Sequence, residues 1–233
     1  MFSHKHPHPP IFYADTKKII MGTLPPPRFS TDDLKIDDVF FPYGSRDSNL
    51  WKALSDIFDL NLIFENTPYA IKQRSDFLKK NRIGICDIVD SCQREKIDAS
   101  DIGMSSVVLR DILAYLKEYK SIDTIVFTGG ASKNGPEYFL RKILKEQTIK
   151  MTLLQADIPK VHSFMFDGRE IKTISLTSPS NAANRFIGSN SYYKEQKKLN
   201  PSYTTYDFRK EQYELVFRAP LKTLASLRGN KER

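Results

Sequence analysis

The sequence has few of the features that mark a secreted, membrane-bound or iron–sulfur protein. Its two cysteines, Cys86 and Cys92, are too few for a disulfide framework or a four-cysteine cluster, so iron–sulfur chemistry is excluded. No apolar run approaches the roughly 18 residues that cross a bilayer, and no signal-peptide core follows the polar start MFSHKHPHPP. We therefore expect a soluble, cytoplasmic protein without a membrane partner.

Phosphate-binding glycine motifs are absent, whereas positive charge is in excess. Neither GxGxxG nor GxxxxGK occurs, so an enzyme acting on nucleotides or small phosphates has no motif in its support, although an α/β frame would permit one. The formal net charge is +8 and the pI is near 9.3. Part of the excess lies in residues 194–233, which carry ten Lys or Arg against five Asp or Glu. This balance favours a polyanionic partner such as DNA, without proving one.

Length and composition predict one folded unit with polar ends. A chain of 233 residues with 40% hydrophobic residues can bury a full core. We assign an extended leader to residues 1–17, a single α/β domain to 18–220, and a flexible basic tail to 221–233. Alternate histidines at His4, His6 and His8 are able to hold a metal, but the interspersed prolines favour a flexible or extended leader that binds none.

Strands and helices alternate along the chain. Short apolar runs predict strands at 19–21, 83–89, 124–130 and 170–176, and Asp167-Gly168 predicts a hairpin turn before the last of them. Helical spacing of apolar residues predicts helices from about Ser48, at 68–80, at 105–119, from Pro136, from Ala182 and at about 207–217. This order predicts a three-layer α/β/α sandwich around a central, mainly parallel four-stranded sheet.

Two loops follow predicted strands and are candidates for a binding site. The segment after Met21 contains Gly22 and three prolines, Pro25 to Pro27, which give an extended wall of fixed shape. Residues 177–181, Thr-Ser-Pro-Ser-Asn, precede a helix, where backbone amides can hold a phosphate. A stiff connector and an ordinary helix cap are the simpler interpretations. Since ligands bind at the carboxyl ends of strands in open α/β sheets, both loops should meet at one edge.

Four segments follow one another along the chain: GTLPPP, FPYGSRDSNLWKAL, IGICDIVDSCQREKIDASDI and SLTSPSNA. Together they resemble the uracil-DNA glycosylase superfamily, nearest its mismatch-specific and hypoxanthine-DNA glycosylase branches. GTLPPP is similar to the first loop of that family, and FPYGSRDSNLWKAL to a segment with an aromatic residue eight positions before a helical tryptophan. IGICDIVDSCQREKIDASDI and SLTSPSNA are similar to a central strand with its following loop and to the last loop. The matches span roughly residues 18 to 185. The resemblance implies a DNA N-glycosylase of base-excision repair that rotates its target base out of DNA and hydrolyses the base–sugar bond.

The resemblance also implies roles for particular residues. The water-positioning and substrate-binding loop is Gly22, Thr23, Leu24 and Pro25, with Pro26 at its end, and the flipped base stacks on Tyr43. The DNA-binding residues are Ser178, Pro179, Ser180 and Asn181, with Lys133, Gly129 and Gly130 lining the DNA groove. No cofactor or metal is implied, and we expect a monomer whose partner is lesion-containing DNA, single- or double-stranded.

The chain departs from the family pattern where the family carries its catalytic group. Related enzymes have Asn or Asp in the first loop, where this chain has Leu24, or Asn three residues before the helical tryptophan, where it has Ser48. Asn49 or Asp47 would restore water positioning after a small shift, Asp37 and Asp38 lie nearby, and Ser48 would orient water more weakly. Three hypotheses follow: a glycosylase active on uracil or hypoxanthine, a slow or narrowly specific enzyme, and a catalytically silent DNA- or nucleotide-binding module.

Overall fold

The computed structural model describes residues 1–218, and the predicted tail at 221–233 lies outside them. The larger of two sheets has six strands in the order β3-β2-β6-β9-β8-β7. Its strands are β2 Lys18–Met21, β3 Ile83–Ile85, β6 Thr124–Phe127, β7 Thr152–Gln155, β8 Lys160–Phe166 and β9 Arg169–Ser175. The first four in spatial order are parallel, and β8 and β7 continue the sheet antiparallel. The predicted parallel four-stranded centre is therefore confirmed, and β8 and β7 widen it.

Helices cover both faces of this sheet. They are α1 Leu50–Phe58, α2 Pro68–Lys80, α3 Ile112–Glu118, α4 Pro136–Glu146, α5 Asn184–Ser189, α6 Ser191–Leu199 and α7 Thr205–Phe217. Alternation along β2 divides the core, because Ile20 packs with residues of α1, α2 and α7, whereas Ile19 and Met21 pack with α3 and α4. This confirms the three-layer α/β/α architecture. No helix within residues 1–218 is long and apolar enough to cross a membrane.

A second, three-stranded antiparallel sheet replaces part of the predicted pattern. It has the order β1-β4-β5, with β1 Phe2–Lys5, β4 Val89–Arg94 and β5 Met104–Leu109. The predicted strand at 83–89 is therefore wrong in extent, because β3 ends at Ile85 and the chain crosses to the second sheet before Val89. The helix predicted at 105–119 is also wrong at its start, since its first residues pair with β4 and only 112–118 is helical.

The amino-terminal residues are extended and packed against the domain. β1 pairs with β4, and His4, His6 and His8 are all buried. Alternate residues of a strand share one face, which explains the inward position of His4 in β1, whereas His6 and His8 follow the strand and residues 7 and 8 form a bend. Among the described residues, no group of three His, Cys, Asp or Glu side chains is placed to hold a metal.

Local chemistry explains several boundaries. Thr67 caps α2 by accepting a hydrogen bond from the Ala70 amide, and Pro68 occupies its first turn. Thr204 and Asp207 form a reciprocal capping box on α7. Asp167 and Gly168 both have positive φ, 49° and 73°, as the tight turn between β8 and β9 requires.

Candidate functional site

A cavity of about 570 Å³ opens where the parallel strands end. Its volume falls within the range of about 300 to 1,000 Å³ usual for small-molecule sites. It is lined by residues 22–26, 28–29, 41, 43–45, 47–48, 87, 99–102, 128, 136, 178–180 and 182. The loops after β2 and β9 thus form opposite parts of one enclosure, at the edge of the sheet where ligands of open α/β folds bind.

Most of the residues singled out in the sequence line this cavity. They are Gly22, Thr23, Leu24, Pro25, Tyr43, Asp47, Ser48, Ser178, Pro179 and Ser180. The others do not line it: Asn49, Asn181, Lys133, Gly129, Gly130, Asp37 and Asp38. Lys133 is exposed in the loop between β6 and α4, which also contains Gly129 and Gly130. The structure therefore brings the first loop, the aromatic residue and the last loop together.

The hydroxyl of Tyr43 is fixed from two sides. It donates a hydrogen bond of 2.7 Å to Asp87 Oδ1 and lies 3.0 Å from Thr128 Oγ1. Burial, reinforced by the Asp87 carboxylate, raises the pKa of Tyr43 well above its usual value, so the phenol keeps its proton. Its backbone has φ 59°, an unfavourable conformation for a residue with a side chain, which the surrounding contacts must hold. The ring is thus a rigid wall of the cavity.

Asp87 is the anchor beneath this wall. Its carboxylate accepts hydrogen bonds from the Gly22 amide at 2.7 Å and from His6 Nε2 at 3.0 Å, in addition to the Tyr43 hydroxyl. Burial alone would raise the pKa of Asp87, but these donors lower it, so the group stays ionised. The His8 amide donates to His6 Nδ1, which assigns the ring proton of neutral His6 to Nε2. The leader therefore contributes to the site, which the sequence did not indicate.

Asn49, one of the predicted catalytic residues, joins two loops. Its amide group donates to the carbonyl of Pro179 at 3.0 Å and to Asn181 Oδ1 at 3.2 Å. Its backbone amide also donates to Pro179, and Ser48 forms an isolated bridge with Ser180. These contacts explain how the segment before α1 and the last loop are held edge to edge.

Asp47 and Ser48 remain at the cavity, and a buried ion pair supports them. Arg28 binds both carboxylate oxygens of Asp38, at 2.7 and 3.0 Å, and also contacts Asp47 Oδ2 at 3.1 Å. Burial alone would raise the pKa of Asp38, but the hydrogen bonds from Arg28 and two backbone amides outweigh burial and lower the pKa. Asp38 therefore holds the loop, whereas the Asp47 side chain is 61% exposed at the rim. Asp37, the other nearby carboxylate, is exposed outside the cavity.

Asp101 is a cavity residue that sequence reasoning missed. Its Oδ1 accepts a 2.7 Å hydrogen bond from Thr23 Oγ1, and burial raises the pKa of the carboxyl group. The surrounding backbone is fixed because Asn134 Nδ2 donates to the Asp101 carbonyl at 3.0 Å and Arg94 donates to the Ser100 carbonyl at 2.6 Å. IDASDI was part of the recognised pattern, but no spacing rule singled out this aspartate.

Arg209 of α7 shapes the last loop from beneath. This buried side chain donates to the carbonyls of Ser178 and Ser180, each at 2.8 Å, and to Asn184 Oδ1 at 2.8 Å. Tyr213 and Gln212 of the same helix bind Thr177. α7 is therefore a scaffold for the last loop.

Replacing Arg209 by methionine should lower the free energy of unfolding by about 2 kcal/mol, because two loop carbonyls lose their charged donor. Lys210→Met is the matched control: Lys210 lies on the same helix, and its side chain makes no hydrogen bond or ion pair with the described residues. Urea unfolding of both variants measures the difference, and equal losses would contradict the assigned role of Arg209.

Comparison with solved structures identifies the fold. The chain is similar to a presumed uracil DNA glycosylase from Methanosarcina acetivorans whose structure was determined by solution NMR. The TM-score is 0.50 over 90% of this chain and 99% of the other, with 17% sequence identity. No protein-family model matches the sequence, and no curated protein matches it. At this identity the likeness shows the fold alone: this is an α/β protein with the uracil-DNA-glycosylase-like fold.

Proposed function

We propose that the protein is a monomeric DNA glycosylase of base-excision repair, acting in the cytoplasm without a cofactor. Its substrate would be a deaminated base, uracil or hypoxanthine, rotated out of DNA. The observation that carries this proposal is that the loop after β2, Tyr43 and the loop after β9 line one cavity. A base inside a duplex is inaccessible to hydrolysis, so an enclosure for an extruded base is the first requirement of such an enzyme.

Each wall of the cavity has a role in this proposal. The flipped base stacks on the ring of Tyr43, which its two polar neighbours hold in place. The bond from the base nitrogen to C1′ breaks with both electrons passing to the base, while a water oxygen bonds to C1′. Asp47, at the rim beside Ser48, positions this water and takes its proton before releasing it to solvent. The departing base then acquires a proton from solvent.

Contacts with DNA would come from the last loop and the basic surface. Ser178, Pro179, Ser180 and Asn181 precede α5, and their hydroxyls and backbone amides suit a phosphate. Exposed Lys133 would extend this contact from the neighbouring loop. The net charge of +8 supplies long-range attraction to the backbone.

Base release is the direct test. Oligonucleotides with one uracil or hypoxanthine, single-stranded and paired, are incubated with excess protein and then cleaved at abasic sites by alkali. Tyr43→Ala should reduce the rate by about 10- to 100-fold, the effect of losing one aromatic stacking partner. Tyr69→Ala, at a surface tyrosine that is 60% exposed, should leave the rate unchanged. No strand cleavage of any substrate at protein excess would overturn the proposal.

A catalytically silent DNA-binding module is the second candidate, favoured by the use of Asn49 as a link between loops. Under this alternative, binding weakens as salt rises, no base is released, and Asp47→Ala does not change affinity for a flipped base. Anisotropy with a 2′-fluorinated, non-hydrolysable oligonucleotide measures base capture and the alkali assay measures chemistry, so capture of the base without strand cleavage identifies the silent module.

A further inference from the structure

The charge of the cavity is opposite to that of the protein. Among residues 1–218, three carboxylates, Asp47, Asp87 and Asp101, line it together with a single cationic side chain, Arg28. The guanidinium of Arg28 is already bound to Asp38 and Asp47. The enclosure is therefore locally acidic although the whole chain carries +8. Such an enclosure favours a ligand that is positively charged and disfavours the development of negative charge.

The strong hydrogen-bond donors of the cavity are directed at its own carboxylates. Tyr43 donates to Asp87, Thr23 donates to Asp101, and Arg28 donates to Asp38 and Asp47. By contrast, Asp101 Oδ2 accepts no hydrogen bond within the described chain, so it is free to accept one from a ligand. The lining thus offers an unused acceptor rather than an unused charged donor.

The ring of Tyr43 also favours a cationic ligand. A phenol whose hydroxyl donates a hydrogen bond to a carboxylate has increased electron density in its ring. The face of an electron-rich ring attracts a cation. Tyr43 is in this state, with its hydroxyl 2.7 Å from Asp87 Oδ1. A flat cationic base stacked on Tyr43 would therefore gain a cation–π interaction that a neutral base lacks.

The chemistry of the leaving base agrees with this electrostatic pattern. A neutral base departs with negative charge, and donors that stabilise this charge supply much of the rate. In this cavity Arg28 is already bound to Asp38 and Asp47, and the Tyr43 hydroxyl to Asp87, so neither is free to stabilise that charge. A purine alkylated at N7 or N3 carries a positive charge, so the electrons of the broken bond neutralise it. It leaves as a neutral molecule and needs no such donor.

We propose that the cavity also accepts cationic N7- or N3-alkylated purines, and that Asp101 Oδ2 binds an N–H group on their edge. This inference rests on the proposed base-excision function and adds a substrate class to it. In the step, the bond from N9 to C1′ breaks with both electrons passing to the purine ring. A water oxygen bonds to C1′, the water proton passes to Asp47 and then to solvent, and the products are an abasic site and neutral alkylpurine.

Binding tests the inference without relying on turnover. Calorimetry compares N7-methylguanosine, buffered on the acid side of its N1–H ionisation, with inosine. The wild-type protein should bind the cation at least about tenfold more tightly, the effect of one charge-assisted hydrogen bond. Asp101→Asn keeps an oxygen for Thr23 but loses the charge, so it should abolish most of this preference. Asp33→Asn removes one charge from an exposed site outside the cavity and should preserve it.

Release of N7-methylguanine from methylated duplex DNA is measured alongside release of uracil and hypoxanthine. Release of the alkylpurine that falls about tenfold or more in Asp101→Asn supports the inference. If the protein releases a deaminated base but neither releases the alkylpurine nor binds it preferentially, the inference is overturned and the proposed function stays intact. A preference for N7-methylguanosine that persists in Asp101→Asn overturns the role of Asp101. If no base is released, the proposed function is overturned. The calorimetric comparison of N7-methylguanosine with inosine then still shows which base the cavity prefers to bind.

Discussion

Gly22→Ala is expected to reduce capture of a flipped base by about 100-fold and to destabilise the fold by about 2 kcal/mol. A β-carbon at this position would lie 2.5 Å from the Tyr43 hydroxyl oxygen and 2.9 Å from Thr128 Oγ1. Neither group can move freely, because both belong to the hydrogen-bonded set around Asp87. The added methyl group must tilt the Tyr43 ring away from the cavity wall. Anisotropy with the non-hydrolysable oligonucleotide and urea unfolding measure the two effects.

A double-mutant cycle isolates the steric cause. Tyr43→Phe removes the atom nearest to the added methyl group, so Gly22→Ala should destabilise the Tyr43→Phe protein less than it destabilises the wild type. Tyr43→Phe alone should cost about 1 kcal/mol, since Asp87 loses one donor and keeps the Gly22 amide and His6. Additive losses in the double variant would show that Gly22 acts through something other than contact with the tyrosine.

The sequence allowed prediction of the two loops because their chemistry is local. Gly22, the prolines after it, and the Ser-Pro-Ser run at 178–180 restrict the backbone irrespective of the rest of the chain. Their meeting at one cavity followed from the rule that parallel strands present their carboxyl ends at one edge. Asp87 also lies at that edge, but its hydrogen bonds to Tyr43 and Gly22 depend on distances that no local pattern contains.

The second sheet was not predictable in the same way. The apolar residues Val108, Ile112 and Leu116 repeat at helical spacing, yet 104–109 is a strand because β4 offers it a partner. β1 has few apolar residues, and of the alternating histidines His4, His6 and His8 only His4 lies in it. That alternation indicates a buried strand face only when the strand it pairs with is known. Long-range pairing therefore overrode the local periodicity.

Acidification from pH 6.5 to about 4 is expected to remove several kcal/mol of stability, because two buried histidines of the leader resist protonation. Burial, with the nearby Arg94 cation, lowers the pKa of His4 from 6.5 to about 4. Burial, with His6 and Arg110, outweighs Asp87 and lowers the pKa of His8 to about 4. The unfolded chain binds these protons below pH 6.5 while the folded chain does not, so acid favours unfolding throughout this interval. Each histidine accounts for up to about 3 kcal/mol.

His8→Phe tests this assignment with little disturbance to packing. The His8 ring lies 4.7 Å from the Phe40 ring centroid and 6.4 Å from that of Phe29, and its buried Nε2 makes no hydrogen bond with the rest of the described chain. Phenylalanine therefore replaces one aromatic ring by another and removes a titrating group. Urea unfolding at a series of pH values should show a smaller loss of stability between pH 6.5 and 4 than in the wild type. His4 and His162, whose pKa values burial also lowers, account for the loss that remains, and Asp38 and Asp87, whose pKa values are lowered, add their own loss only at lower pH. An unchanged pH profile in His8→Phe would mean that His8 does not couple protonation to folding.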